Sequence, residues 1–349
     1  MAEFSNTLLE WYAKHKRELP WREAKDPYLI WLSEIILQQT RVEQGLPYFE
    51  RFKVAFPTIN DLADANEEYV LKLWQGLGYY SRARNLHHSA KVIQEQHNGV
   101  FPSNYEAIRS LKGVGDYTAA AVASIAFDEA VPVIDGNVFR FISRFYGIET
   151  DIQKAATKKE IRKILDAEID NSDPGSFNQA MMDFGSTVCS PKNPSCDDCP
   201  FRSACYARLN RKIEMLPFKS KNSKARKRFF NYILLTNGTK LAISKRAEND
   251  IWKGLYEFPM IEKASLLDPE EMLVETNLDE SLNPRLIKVY DLNKHILSHQ
   301  HIYSRFFHIE VDHLPSSYQQ ISSDQLHQYP VSRMIEKFLE AGPKYLSKK

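Results

Sequence analysis

All four cysteines of this 349-residue chain fall in one short window, Cys189, Cys196, Cys199 and Cys205, with the spacing C-x6-C-x2-C-x5-C. A disulfide scaffold spreads its cysteines through a chain too short to build a core, whereas these crowd one corner of a chain long enough to bury a full one. The window therefore reads as a loop wrapped around one metal centre. Structural zinc sites usually pair two short C-x2-4-C knuckles across a longer gap, and only Cys196 and Cys199 form such a knuckle here. A [4Fe-4S] cluster takes four thiolates from unequal loops. The spacing thus favours the cluster and leaves zinc open.

Composition is less specific. With 46 basic and 45 acidic residues the formal charge is +1, so no nucleic-acid footprint is visible in the total and DNA binding would have to rest on a local patch or on main-chain groups. The N-terminus MAEFSNTLLEWYAKHKRELPW is amphipathic and mixed in charge, unlike a signal peptide. No apolar run approaches the length of a membrane span. These features predict a soluble, cytoplasmic protein of bacterial type without a membrane partner, and a monomer.

The chain changes texture once. Residues 1–215 carry apolar positions at helical spacing, as in PYLIWLSEIILQQTRVEQGLPYFERF and TAAAVASIAF. Residues 216–228, LPFKSKNSKARKR, hold Lys219, Lys221, Lys224, Arg226, Lys227 and Arg228 among few apolar side chains and read as a basic linker. Residues 229–349 begin with short β-like runs, FFNYILLTNG and KLAISKR, joined by an Asn-Gly turn, and continue through a helical DPEEMLVE to SRFFHIEVD. The expected fold is multidomain, an all-α domain followed by an α/β domain.

Three features of the helical part can carry chemistry. Glu34 lies among Ile30, Trp31, Ile35 and Leu37, and a carboxyl buried in such a stripe keeps its proton near neutral pH, as a general acid needs; an exposed or arginine-paired glutamate is the plainer alternative. Glu43, in a more polar stretch, reads as surface. Asp135 ends the apolar run of VPVIDGNVFRF as a helix N-cap, held in place and kept ionised by the helix end. A proton-bearing acid paired with an ionised carboxylate is the requirement of glycosidic bond cleavage. In LKGVGDYTAAAV, Gly113 and Gly115 permit a tight turn whose freed N–H groups hold a phosphate, or else an ordinary turn between helices.

These residues converge on a family. The chain resembles, over essentially its whole length, the MutY family of adenine DNA glycosylases within the endonuclease III superfamily. The marks are LPWR at Leu19 to Arg22, WLSEIILQQTRV, GLGYYSRARNL, LKGVGDYTAAAV, VIDGNVFR, FNQAMMDFGSTVC and the cysteine loop. The resemblance implies an all-α helix-hairpin-helix glycosylase core with a [4Fe-4S] cluster on the four cysteines, followed by an α/β Nudix-like domain. It implies excision of adenine opposite 8-oxoguanine or guanine in double-stranded DNA, with Glu34 and Asp135 as the catalytic carboxylates.

Further roles follow by the same resemblance. The Tyr117 hydroxyl supports Asp135 and stands where bifunctional relatives carry a lysine nucleophile, so strand cleavage is expected to be weak; a packed aromatic is the simpler role. Asn137 is a partner of Asp135 or a helix cap. Arg17 and Arg22 match positions lining the adenine pocket. Gln39 and Leu77 match positions touching the base opposite the lesion, and Thr40 is a further DNA-contacting candidate. Tyr79 is a wedge between bases, although a tyrosine pair is more often core. WKGLYEFP and HILSHQHI are similar to signatures of the Nudix-like domain, where Ser298 and His299 distinguish 8-oxoguanine from guanine; Leu297 departs from the phenylalanine common there. No run resembles the Nudix hydrolase motif, so pyrophosphatase activity is not expected.

Overall fold

Three sequence devices define the helical part: capping residues that start helices, apolar stripes that bury them, and glycines where helices approach closely. A computed structural model describes residues 2–22, 25–220, 225–238, 240–246 and 250–341. Its helices are α1 (Ala2–His15), α2 (Pro27–Leu37), α3 (Val42–Ala55), α4 (Ile59–Asp64), α5 (Glu67–Trp74), α6 (Ser81–His97), α7 (Tyr105–Arg109), α8 (Asp116–Phe127), α9 (Gly136–Tyr146), α10 (Ala155–Glu168), α11 (Pro174–Thr187) and α12 (Tyr206–Leu209). Strands β1 (Arg226–Asn237), β2 (Lys240–Lys245), β3 (Tyr256–Glu257) and β4 (Met260–Lys263) follow, then α13 (Pro269–Glu275), β5 (Arg285–Ile296), β6 (Gln300–Glu310), β7 (Gln319–Ser322) and α14 (Arg333–Ala341). Two compact units result: residues 1–64 with 85–221, and residues 65–84 with 222–349.

In the first unit α2 is the central helix. Asp26 caps it, accepting from the Tyr28 N–H at 2.9 Å, and Pro27 opens it with φ already set. Every side chain from Ile30 to Ile36 is buried, so the helix has no water-facing stripe and Glu34 is carried inward with the rest. Truncating a core ring such as Trp31 costs about 3–5 kcal/mol. The alanines of α8 let α2 and α11 close on it: a Cβ at Gly175, in the first turn of α11, would stand 2.9 Å from the Ser124 carbonyl oxygen. At the other end of α11 a Cβ at Gly185 would stand 2.7 Å from the Asn137 carbonyl oxygen, so α11 and the start of α9 touch backbone to backbone. A second aromatic core, Phe4, Phe141, Phe184 and Phe201, lies against the cysteine loop.

In the second unit β1 is the spine. It pairs in parallel with β6 along its length and antiparallel with β2 and β4; β5 lies antiparallel to β6, and β3 and β7 flank β2. The Asn237–Gly238 turn joins β1 to β2 with Gly238 at φ 62°, and Asp268 with Glu271 forms the capping box of α13. One sheet face packs Phe230, Tyr232 and Phe306 against Phe338 of α14, and the other packs Ile233, Leu235 and Phe307 against Met272 of α13. Arg226, Lys227 and Arg228 read as linker by composition, yet they open β1. Arg228 is buried between Asp250 and Glu262, at 2.6 Å from each. Lys221 and Lys224 lie outside the described residues. No helix among the described residues is long and apolar enough to cross a membrane.

Candidate active site

The last turns of α2, the first turns of α8 and α9, and α11 enclose a cavity of about 470 Å³ in the first unit. Its lining includes Arg17, Arg22, Glu34, Thr40, Tyr117, Asp135 and Asn137. Glu34 is 7% exposed, and burial pushes its carboxyl up to about 7; the repulsion of Asp135 adds to that push, while a hydrogen bond donated by the Tyr117 hydroxyl and the charge of Arg22 oppose it. The arginine-paired alternative is thus only partly met: Arg22 acts on Glu34 through space, while its hydrogen bonds go to Asp183.

Asp135 is the N-cap of α9. Its Oδ1 accepts from the N–H groups of Asn137 at 2.9 Å and Val138 at 2.7 Å, and its Oδ2 accepts from Asn137 Nδ2 at 2.7 Å. A helix end by itself favours the ionised carboxylate. The three donors act in that direction, but burial outweighs them and raises its carboxyl above the usual aspartate range. Tyr117, in the first turn of α8, reaches Met182 Sδ at 3.1 Å and bonds Glu34; it interacts with Asp135 only through space. Asn137 does more than cap. Its Oδ1 accepts from Arg140 Nη2 at 2.8 Å, and Arg140 Nε donates at 2.7 Å to the Cys189 carbonyl. A continuous chain of hydrogen bonds therefore links Asp135 to the cysteine loop.

Arg17 and Arg22 are both gripped by Asp183, whose side chain is wholly buried. Arg17 Nε donates to it at 2.7 Å, and Arg22 donates from Nη1 at 2.7 Å and Nη2 at 3.0 Å. Burial alone would raise the Asp183 carboxyl, but the two guanidinium groups hold it below its usual range. Sequence reading passed over Asp183. Its signal was a lone carboxylate in the apolar frame of NQAMMDFGSTV, the same kind of signal that singled out Glu34. Glu43, read as surface, is exposed and also lines the cavity mouth.

The remaining predicted residues lie elsewhere. Gln39 is exposed just beyond α2 at φ 56° and is not part of the cavity lining. Gly113 takes φ 83° between α7 and α8, and a Cβ there would stand 2.6 Å from Asn85 Cβ; Gly115 caps α8 with open space where a Cβ would be. In the second unit, Leu77, between Gly76 and Gly78, is 5% exposed, while Tyr79, directly after Gly78, is 46% exposed at φ 48°. Ser298 and His299 are exposed in the turn between β5 and β6, with Ser298 Oγ 3.1 Å from His299 Nδ1. Leu297 packs into the core that holds Phe230 and Phe306.

The four cysteines line one cavity together with Arg144, Arg202 and Arg208. Arg144 Nη1 stands 3.5 Å from Cys189 Sγ, and such cations offset the charge that thiolate ligands bring. Among the described residues no three His, Cys, Asp or Glu side chains stand close enough to share a single ion.

Residues 32–167 match the family described as HhH-GPD superfamily base excision DNA repair protein, and residues 231–341 match the NUDIX domain. The adenine DNA glycosylase of Buchnera aphidicola subsp. Acyrthosiphon pisum is 35% identical over 80% of this chain and 81% of its own. Among solved structures, a thermostable thymine-DNA glycosylase superposes with a TM-score of 0.55 at 28% identity, covering 59% of this chain and 95% of that one. A non-covalent endonuclease III–DNA complex shares the fold at a TM-score of 0.52 and 21% identity, over 60% of this chain and 95% of that one. With its buried carboxylate pair, its hairpin glycines and its convergent cysteines, the chain belongs to the adenine DNA glycosylase family of the helix-hairpin-helix base excision repair superfamily.

Proposed function

We propose that this protein removes adenine paired with 8-oxoguanine or guanine in double-stranded DNA by hydrolysing its N-glycosidic bond, leaving an abasic site. The observation that carries the reading is one cavity holding two carboxyls in different settings. Glu34 is buried with a single hydroxyl donor and a carboxyl pushed up to about 7, while Asp135 is fixed by three donors and is the better-held anion of the two. The adenine leaves the stack and enters the cavity. Glu34 gives its proton to N7 as the bond from N9 to the sugar C1′ breaks, and Asp135 faces the cationic sugar, bonds to C1′ as a retaining nucleophile and is released by water.

Tyr117 offers no amine where a lysine would attack the sugar, so the enzyme is monofunctional. Arg17 and Arg22, held rigid by Asp183, border the base. Tyr79 wedges between bases, Leu77 and Gln39 approach the opposite base, Thr40 contacts the DNA, and Gly113 and Gly115 grip the backbone through main-chain N–H groups. Ser298 and His299 read the oxidised base by polar contacts. Cys189, Cys196, Cys199 and Cys205 would hold a [4Fe-4S] cluster, and their convergence on one arginine-lined cavity fits that group. Bound there, the group supplies metal–thiolate cross-links and an electron-transfer centre.

The test is single-turnover adenine release from a duplex with adenine opposite 8-oxoguanine, beside adenine opposite guanine, thymine opposite guanine and an oxidised pyrimidine. Release fastest opposite 8-oxoguanine with the strand left intact is expected. Thymine release, or strand cleavage at the oxidised pyrimidine without adenine release, would overturn the reading.

A further inference from the structure

The segment that presents Tyr79 belongs by sequence to the glycosylase match, which runs over residues 32–167, yet residues 65–84 form one compact unit with residues 222–349. The contacts run along the whole segment. Glu68, near the start of α5, accepts from Lys245 Nζ at 2.7 Å and from the Tyr256 hydroxyl at 2.8 Å. Lys72 Nζ donates to the Tyr329 carbonyl at 3.1 Å, and Arg84 Nη1 donates to the Lys253 carbonyl at 2.6 Å.

Between these anchors the tyrosine turn is built without a helical ladder. Gly76, Gly78 and Tyr79 all take positive φ, and for a bulky tyrosine that conformation is costly and persists only where the surroundings enforce it. Internal bonds supply part of the enforcement: Trp74 Nε1 donates to the Gly78 carbonyl at 2.9 Å, and the Arg82 guanidinium lies 5.6 Å from the Tyr79 ring centroid. Both ends of the turn are fixed from the second domain. Gln75 Nε2 donates to Glu336 Oε1 at 2.5 Å while its Oε1 accepts from the Val331 N–H at 3.3 Å. The buried Tyr80 hydroxyl accepts from the Gly76 N–H at 3.3 Å and donates to the Val331 carbonyl at 3.1 Å.

We propose that Gln75, Tyr80 and Glu336 are positioning residues for the wedge: the Nudix-like domain, through Val331 and Glu336, holds the turn in the conformation that presents the Tyr79 ring. This rests on Tyr79 being the wedge. The domain that carries Ser298 and His299 then also sets the insertion of Tyr79, so it contributes to base excision beyond its own contacts with the oxidised base.

The test uses the full chain and a duplex bearing a non-cleavable adenine analogue opposite 8-oxoguanine, with 2-aminopurine beside the oxidised base. Unstacking by the wedge raises 2-aminopurine fluorescence on binding, and Tyr79→Ala removes that rise. Gln75→Glu sets a carboxylate against Glu336 and is expected to cut the rise about threefold or more, since a hydrogen bond to a charged group becomes a like-charge contact. The double variant Gln75→Glu with Glu336→Gln restores the bond with its polarity reversed and is expected to restore the signal, which a general loss of stability would not allow. Tyr80→Phe, which keeps the ring and deletes the bridging hydroxyl, carries the same expectation should Gln75→Glu fail to fold.

A full rise in Gln75→Glu and in Tyr80→Phe, alongside its loss in Tyr79→Ala, overturns the proposal. So does a rise lost in Gln75→Glu and not regained in the double variant. A rise that survives Tyr79→Ala instead overturns the wedge reading itself, which separates the two failures.

Discussion

Two regions bury clustered charge and treat it in opposite ways. In the second unit Arg228 and Arg246 stack on Phe230, at 4.7 and 5.1 Å from the ring centroid, and are saturated with carboxylate oxygens. Arg228 takes Asp250 and Glu262, and Arg246 takes Asp250 and Glu257, each pair at 2.6 Å. Those bonds hold the Asp250 carboxyl far below its usual range even though burial works the other way. In the cavity of the first unit Glu34 has one hydroxyl donor, a distant arginine and a repelling neighbour, and its carboxyl rises to about 7. Burial is common to both regions; the number of partners separates a charge that stabilises the fold from one left reactive.

The sharpest way to test this contrast is to neutralise the under-partnered group. Glu34→Gln keeps the shape and removes the proton, so adenine release should fall about 10²- to 10⁴-fold, the usual contribution of a general acid. Stability should hold or rise, because a buried carboxylate is replaced by a neutral amide. Single-turnover excision and thermal melting together check both halves, and a variant that is inactive because it melts early would break the comparison.

The opposite response is expected in the second unit. Arg228→Met strands Asp250 and Glu262 with fewer partners and should cost about 1–3 kcal/mol, below the scale of a fully buried unpaired charge because both carboxylates are about a third exposed and Asp250 keeps Arg246. Denaturant unfolding measures it; a loss below about 1 kcal/mol would place the network with ordinary surface ion pairs.

A titration distinguishes the two regions without mutation. Because the folded-state carboxyl of Glu34 is raised from 4.5 to about 7, its protonated form is the one the fold favours. Its contribution to stability is therefore full at low pH and is lost as pH rises through that window, on the order of 3 kcal/mol in all. The excision rate should fall in step as pH passes above about 7 and the proton is lost. Glu34→Gln should flatten the stability slope, and an unchanged slope would assign it to other groups.

Much of this was legible in the sequence, and the reason is local. Asp135 and Asp268 cap helices that begin where their own side chains dictate, Asn237–Gly238 makes its hairpin, and the buried stripe around Glu34 is visible in PYLIWLSEIIL. What escaped depends on distant partners. Arg228 looks like linker until Asp250 and Glu262, far along the chain, are brought to it. Asp183 looks like a stray polar residue until Arg17 and Arg22 arrive from the other end of the unit. The 12-residue strand β5 hides behind two register shifts against β6, which break the alternation by which strands are read. Likewise the carboxyl shift of Asp135 follows from its burial and runs against the donors at the start of its own helix.

The finest test of the contrast asks whether the saturated network stabilises at all or is merely costly to break. Arg246 gives two bonds to Glu257, at 2.8 and 2.6 Å, and Glu257 also accepts from the Tyr232 hydroxyl at 3.1 Å; burial still raises its carboxyl against those partners. Removing Arg246 alone therefore leaves an ionised group that the site already resists. Arg246→Met with Glu257→Leu removes both charges and keeps the volume, leaving Asp250 bound to Arg228. The double variant should lose less than about 2 kcal/mol although the Arg246 change alone loses about 3–5, with excision unchanged. A double variant as unstable as the sum of its singles would mean that the network holds the domain by attraction, and that partner number alone does not separate the two regions.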